Sequence, residues 1–261
     1  MQEPREQRAV QSIEVGGRLL LALSHHPGPM ALKDLAAQAD LPAARAHPYL
    51  VSFSKLGLVE QQADGLYALG PAALQLGLSC LHQLDPMKVA VPVAERLAAS
   101  TDQSVVIALW GNMGPTVVRM IEARHPLHVN MRAGTVLSVL DTATGRAFAA
   151  ALPRKILEEA LAGPMGRFSA VDRAGAGNLD AELLSAQEEM QAHGVTRALG
   201  RPIPSVNAFS AAAFDHEGRV ALVFTVLGHA DHFDASWDSA MAMAVREAAI
   251  EVSRRLGFAM V

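Results

Sequence analysis

Within the first seventy residues, apolar positions recur at helical spacing in three short runs, and the period then breaks around an Asp-Gly pair, an order that few folds admit. Val10, Ile13, Gly17, Leu20 and Leu21 share one face of a helix expected over 7–24, which His25-His26-Pro27-Gly28-Pro29 ends. Leu32, Leu35 and Ala36 mark a second helix over 31–39. The turn Ala39-Asp40-Leu41-Pro42 leads into a third, expected to run to about Lys55, with Pro42 suited to the first helical position because its missing N–H is no loss there. Leu58 to Glu60 and Leu66 to Leu69 read as short strands around Ala63-Asp64-Gly65, and Asp-Gly is a strong hairpin signal. Three helices followed by a hairpin is the order of a winged helix-turn-helix and equally of a small helical bundle carrying a hairpin.

From Pro71 the helical period resumes through Leu74, Leu78 and Leu81, pauses at Asp85-Pro86, and continues from Met87 to Ala99. Beyond it the pattern changes to strands. Ser104 to Trp110 and Thr116 to Ile121 flank a turn at 111–115, and helices are expected over 144–151, 154–161 and 180–193. Strands follow over 195–199, 208–214 and 219–227, and a helix over 236–256 closes the chain. This is an α+β pattern with helices gathered mainly on one side of a sheet and at its ends. The expected division is a head of residues 1–70, a linker helix over 71–85 and a larger domain over 86–261. With 51% hydrophobic and 18% charged residues the chain can bury a large core. The N-terminus lacks the apolar centre of a signal peptide and no run approaches ~20 apolar residues, so a cytoplasmic protein with no membrane partner is expected. A single cysteine, Cys80, agrees with a reducing compartment.

If the head is a helix-turn-helix, the short turn between its second and third helices leaves Ala43, Ala44, Arg45, His47, Tyr49 and Ser52 as candidates for the groove-facing side of a recognition helix. Arg45 suits a guanine edge or a phosphate, and Lys33 and Lys55 suit phosphates on either side. Two features oppose this. The whole chain carries a formal charge of −4, and residues 1–70 hold six basic side chains against seven acidic, a weak footprint for a polyanion. Pro48 falls inside the expected recognition helix, where it removes a backbone donor and crowds the preceding turn at a cost of ~3 kcal/mol or more, so a kink or an irregular first turn is expected.

The run Val10-Gln11-Ser12-Ile13-Glu14-Val15-Gly16-Gly17-Arg18-Leu19-Leu20 resembles the opening of the IclR family of regulators, as does Met30-Ala31-Leu32-Lys33-Asp34-Leu35-Ala36. Leu41-Pro42, Leu56-Gly57-Leu58-Val59-Glu60, Tyr67-Ala68-Leu69-Gly70 and Leu74-Gln75-Leu76-Gly77 follow in the family's order. The resemblance continues in Asp141-Thr142-Ala143-Thr144-Gly145-Arg146-Ala147-Phe148, Gly194-Val195-Thr196-Arg197 and Ala211-Ala212-Ala213-Phe214-Asp215-His216-Glu217-Gly218, and so spans nearly the whole chain. It implies a winged helix-turn-helix that binds operator double-stranded DNA, a linker helix, and a GAF-like α/β effector-binding domain, assembled as a homodimer or homotetramer. The implied function is transcription control by a small organic acid, aromatic or short aliphatic, of the kind a carboxylic-acid catabolic operon would respond to. Pro48 departs from the family, whose members commonly carry a basic residue there. The alternative is therefore a small-molecule-binding protein of the same architecture with weakened DNA binding.

The resemblance places the effector pocket between the sheet and Thr142-Ala143-Thr144, where a helix begins and free backbone N–H groups suit a carboxylate. It also implies that Ala198, Ala208, Thr225 and Leu227 line the cavity, with Asn207 and Phe209 beside it. Trp110, Arg119 and Met131, on neighbouring strands or their ends, are candidates for an aromatic wall, a cationic partner and an adaptable surface. The run His229-Ala230-Asp231-His232-Phe233-Asp234 lacks a matching distant cluster and reads as a polar loop rather than a metal site. No Gly-rich phosphate loop or nucleophile elbow is present, so neither an enzyme nor a cofactor is expected.

Overall fold

The computed structural model describes residues 9–124, 129, 131–163 and 179–259, and its contacts divide the chain after Leu84 into two units. The helix expected as a separate linker thus groups with the head. Among the described residues no helix is long and apolar enough to cross a membrane.

The N-terminal unit contains α1 (Gln11–His25), α2 (Leu32–Gln38), α3 (Ala43–Lys55), β1 (Val59–Gln61), β2 (Tyr67–Leu69) and α4 (Pro71–Gln83). Residues 7 and 8, expected to begin the first helix, lie outside the described residues. Leu19, Leu23, Leu35, Leu50, Val59 and Tyr67 form the core, so all three helices and the hairpin contribute apolar faces to one cluster. Gly16 allows α1 and α3 to close: a Cβ there would stand 2.8 Å from Phe53 Cζ and 3.3 Å from Tyr49 Cδ1. The hairpin turns at Gly65 (φ +85°) while Asp64 accepts from Leu66 N. Two reciprocal backbone bonds between Met30 and Tyr67, 2.8 and 2.9 Å, then pin it to the segment before α2. Pro42 caps α3 from outside instead of taking its first helical position, a shift of one residue. The helix continues through Pro48, which sits on its exposed side, and Ser52 Oγ donates to the Pro48 carbonyl at 3.0 Å.

The C-terminal unit is built on a five-stranded antiparallel sheet in the order β4-β3-β7-β6-β5. Its elements are α5 (Pro86–Thr101), β3 (Ser104–Gly111), β4 (Gly114–Ile121), α6 (Ala143–Ala151), α7 (Arg154–Ala162), α8 (Leu179–His193), β5 (Thr196–Leu199), β6 (Val206–Phe214), β7 (Val220–His229) and α9 (Ala240–Arg255). Local signals explain the helix starts. Asp85 caps α5 by accepting from Met87 N at 2.9 Å with Pro86 in the first turn, and Ser239 caps α9 by accepting from Ala242 N. In the β6–β7 turn, burial pushes the Asp215 carboxyl up, but the N–H groups of Arg219 and Glu217 and the Arg219 guanidinium together hold it below the usual carboxylate range.

Helices α5 and α9, joined by an Arg96–Glu251 pair at 2.7 Å, pack on one face of the sheet. On the opposite face Ala147 and Phe148 of α6 meet Ala108, Ala212 and Val223, three strand residues whose side chains share that face by the two-residue period. Helix α8 is tied to α6 through Arg146, whose side chain is 3% exposed and pairs with Glu189 at 2.6 Å, Glu182 at 3.4 Å and Ser185 Oγ at 3.1 Å. Glu189 also accepts from Arg197 N at 3.1 Å, so the same carboxylate links α6, α8 and β5.

Candidate functional site

A cavity of about 160 Å³ lies on the α6 face of the sheet. Its floor is strand: Val106 on β3, Thr225 and Leu227 on β7, Val206 and Ala208 on β6, and Ala198 on β5. The start of α6, Thr142 and Ala143, closes one side; Met131, Thr135 and Leu137 close another, and Arg201, Pro202 and Ile203 of the β5–β6 connection close a third. Among the described residues the lining is apolar apart from three threonine hydroxyls and Arg201.

The chain is shaped locally to bring α6 close. Gly145 has no room for a side chain: a Cβ there would collide with the carbonyl oxygens of Ser138 and Val139 and stand 2.7 Å from Val139 C. Thr142 Oγ1 accepts from Gly145 N at 2.9 Å and donates to the Ser138 carbonyl at 2.8 Å, fixing the helix start against that segment. The N–H groups of Ala143 and Thr144 have no intrahelical acceptor, as at any first turn. Behind the wall, Thr225 Oγ1 lies 2.7 Å from both Thr144 Oγ1 and Ser210 Oγ. Three hydroxyls share two bonds. When Thr144 and Ser210 both donate, the proton of Thr225, the member that lines the cavity, is left for a ligand.

Seven of the twelve residues expected at the effector site line this cavity: Met131, Thr142, Ala143, Ala198, Ala208, Thr225 and Leu227. The other five stand elsewhere. Thr144 is one hydrogen bond removed, its hydroxyl engaged by Thr225. Asn207 and Phe209 flank Ala208 on β6 and so face the other way: Asn207 Oδ1 accepts from Gly200 N, and Phe209 stacks on Phe233 with ring centroids 5.7 Å apart. Trp110 shares the α6 face but packs edge-on against Phe148 at 5.4 Å, in the core beside Leu152. Arg119 is exposed and pairs with Ile107, whose side chain points away from the cavity side of β3. The reason is a bulge: the β3–β4 register shifts between Ile107 and Ala108, and in the register of the hairpin end Arg119 would have faced Val106. Sequence reasoning missed Val106 and Val206 on the strands, and Thr135, Leu137, Arg201, Pro202 and Ile203 outside them. The first two were legible from period two, counting from Ala108 and Ala208, whereas a loop residue such as Arg201 carries no periodic signal.

On the head, Lys33, Ala44, Arg45, His47, Ser52 and Lys55 are exposed. Ala43 and Tyr49, expected on the groove-facing side, instead pack against the core, because α3 must bury one stripe through Ala46 and Leu50 and these two residues flank it. Outward positions that were missed are Val51, 42% exposed, and Ser54. With His47, Lys55, Gln61 and Tyr67 they line an open groove of about 390 Å³ between α3 and the hairpin. The His229–Asp234 segment forms no metal cluster: no group of three ligating side chains occurs among the described residues.

Residues 12–63 match the family model of the IclR helix-turn-helix domain, and residues 78–254 match that of the bacterial transcriptional regulator IclR C-terminal domain. The HTH-type transcriptional regulator KipR of Bacillus subtilis is 25% identical over 241 residues, 92% of this chain and 94% of KipR. The crystal structure of Pseudomonas aeruginosa HmgR superposes with a TM-score of 0.85 at 31% identity, covering 97% of this chain and 100% of that one. An IclR homologue from Microbacterium hydrocarbonoxydans, solved in complex with 4-hydroxybenzoate, shares the fold at a TM-score of 0.55 and 19% identity, over 94% of this chain and 98% of that one. A three-helix head with a hairpin, an α+β unit with its cavity at the start of α6, and sequence matches along nearly the full length converge: the chain belongs to the IclR family of bacterial transcriptional regulators.

Proposed function

We propose that this chain binds operator DNA through α3 and the β1–β2 hairpin, and that a small organic acid held in the α6 cavity controls that binding. The cavity carries the reading. Its volume of about 160 Å³ matches the ~150 Å³ that accommodates a benzene-sized ring, and it is far below the ~300–1,000 Å³ of sites for drug-sized molecules. Its apolar walls suit a ring, and the α6 first turn, Thr225 and Arg201 supply donors for oxygen atoms. The homologue crystallised with 4-hydroxybenzoate supports a single-ring aromatic acid as the ligand class. The acid acts on DNA affinity to the extent that it binds the two states of the regulator unequally.

On the DNA side the groove-facing set becomes Ala44, Arg45, His47, Val51, Ser52 and Lys55, with Lys33 beside them on α2. Continuity of α3 through Pro48 favours DNA binding over the weakened-binding alternative, since the helix presents one unbroken face to a major groove. Assembly with a second copy is supported by α4: none of its residues is buried, while Leu74, Leu76, Leu78 and Leu81 are 39–64% exposed, an apolar surface that a partner would remove from water. A two-fold assembly would present two reading helices to a pseudo-palindromic site.

The test uses a duplex selected from a randomised pool by the full-length protein. Arg45→Ala is expected to weaken binding by about 1–3 kcal/mol, and Lys55→Ala to lower the slope of log K against log salt by about one. Unchanged isotherms for both variants at two salt concentrations would remove α3 as the reader. Adding 4-hydroxybenzoate, benzoate or phenylacetate should shift the DNA-binding midpoint, and no shift with any of the three would overturn effector control by a ring acid.

A further inference from the structure

We propose that Arg201 is the carboxylate anchor of the cavity, so that a ring acid enters ring-first and leaves its carboxylate at the mouth formed by the β5–β6 connection. The inference rests on the reading of the cavity as a ring-acid site and adds the group that selects for the acid. Among the described lining residues Arg201 is the single charged side chain, set against walls of valine, leucine, isoleucine, alanine and methionine. It is exposed, and no ion pair or hydrogen bond engages its guanidinium among the described residues, so its five donors are available. Every other polar side chain among the described lining residues has a protein partner or a single proton to give. Thr142 caps its own helix, Thr135 Oγ1 accepts from Arg132 N at 3.1 Å, and Thr225 is held by two hydroxyls.

The backbone that carries Arg201 is held in place even though the side chain is free. Gly200 N donates to the Val206 carbonyl at 2.9 Å and to Asn207 Oδ1 at 3.1 Å, Val206 N donates to the Ile203 carbonyl at 3.2 Å, and Ala230 N donates to the Ser205 carbonyl at 2.8 Å. Gly200 (φ +59°) takes the left-handed conformation that the turn requires. Pro202 and Ile203, next in the chain, line the cavity wall, so Arg201 is placed where apolar lining meets solvent. A guanidinium there binds a carboxylate in a planar two-bond fork without either charge being fully buried, which avoids the desolvation penalty of a deep ion pair. Arg119, the cation expected from sequence, cannot serve, because the β4 bulge turns it to the other face of the sheet.

The experiment is calorimetric titration of benzoate and 4-hydroxybenzoate, each beside its uncharged amide, into the full-length wild type, Arg201→Gln and Arg201→Lys. In the wild type the acid is expected to bind at least tenfold more tightly than its amide. Arg201→Gln should weaken the acids by about ten- to thirtyfold and leave the amides nearly unchanged, collapsing the ratio, while Arg201→Lys retains part of it because the charge survives without the fork. Thermal melts of the unliganded variants should match wild type, since the side chain is exposed and unpaired. Equal losses for acid and amide, or an undiminished acid-to-amide ratio in Arg201→Gln, would overturn Arg201 as the anchor while leaving the ring site standing. A wild type that binds none of the four compounds would overturn the ring-acid reading itself, and the anchor with it.

Discussion

Arg146→Ala is expected to destabilise the C-terminal unit by about 3–5 kcal/mol, because removing one member of a buried ion pair strands the charge it faced. The guanidinium is 3% exposed and stands between Glu189 at 2.6 Å and Glu182 at 3.4 Å, with Ser185 Oγ at 3.1 Å. Alanine would leave Glu189, only 21% exposed, beside a void the size of the lost side chain. The pair's net contribution is smaller than the cost of breaking it: both charges are desolvated on folding, and Arg146 Nε is buried with no partner among the described residues. A paired Arg146→Met, Glu189→Leu variant should therefore recover most of the loss, although it also removes the Glu189 bond to Arg197 N. Both tryptophans, Trp110 and Trp237, lie in this unit, and both tyrosines, Tyr49 and Tyr67, lie in the head, so urea titration followed by tryptophan fluorescence, excited at the red edge where tyrosine does not absorb, reports its unfolding without direct emission from the head. An Arg146→Ala midpoint equal to wild type would mean that water enters and solvates Glu189, and that the network does not hold α6 to α8.

Gly145→Ala is expected to cost about 3 kcal/mol, lower the melting temperature of the C-terminal unit by roughly 6–12 °C, and abolish binding in the cavity even where the protein stays folded. The obstacles to a Cβ are the backbone carbonyls of Ser138 and Val139, which no rotamer change can move aside. Relief requires the start of α6 to retreat from that segment. Its first two lining residues, Thr142 and Ala143, would move with it, and the Thr142 cap on Gly145 N would lengthen. The measurements are a fluorescence melt and calorimetry with 4-hydroxybenzoate on the same sample. A variant with wild-type melting and wild-type affinity would show that the 138–139 segment yields freely and that the glycine has no part in shaping the site.

Much of the architecture was legible in the sequence because its signals are local. Asp64-Gly65 turned the hairpin where expected, Asp85-Pro86 marked a helix start, and the strand and helix positions of the C-terminal unit agree to within a few residues. The small differences at the ends, such as α9 beginning at Ala240 instead of near Ser236, follow from caps that periodicity does not see; here Ser239 is the cap. A kink or an irregular first turn is expected from Pro48, and α3 stays helical on both sides of it. Leu50 and Ala46 are fully buried on one side of the helix and the proline projects from the other, so packing of the buried stripe outweighs one lost backbone bond.

The cavity divides along the same line. Thr142, Ala143, Ala198, Ala208, Thr225 and Leu227 could be placed from the sequence, because a helix start and residues on adjoining antiparallel strands keep their relation wherever the family pattern recurs. Which way the remaining side chains face was decided by tertiary structure alone. The single extra residue of the β4 bulge reverses the face on which Arg119 stands, since a strand's side chains alternate and a shift of one exchanges inside for outside. Arg201 reaches the cavity from a connection with no period of its own, positioned by bonds to Val206, Asn207 and Ala230 that lie beyond it in the chain. Secondary structure here is written in spacing and caps within a few residues of each other, whereas the charge offered to a ligand depends on register and loop closure, which exist only once the sheet has formed.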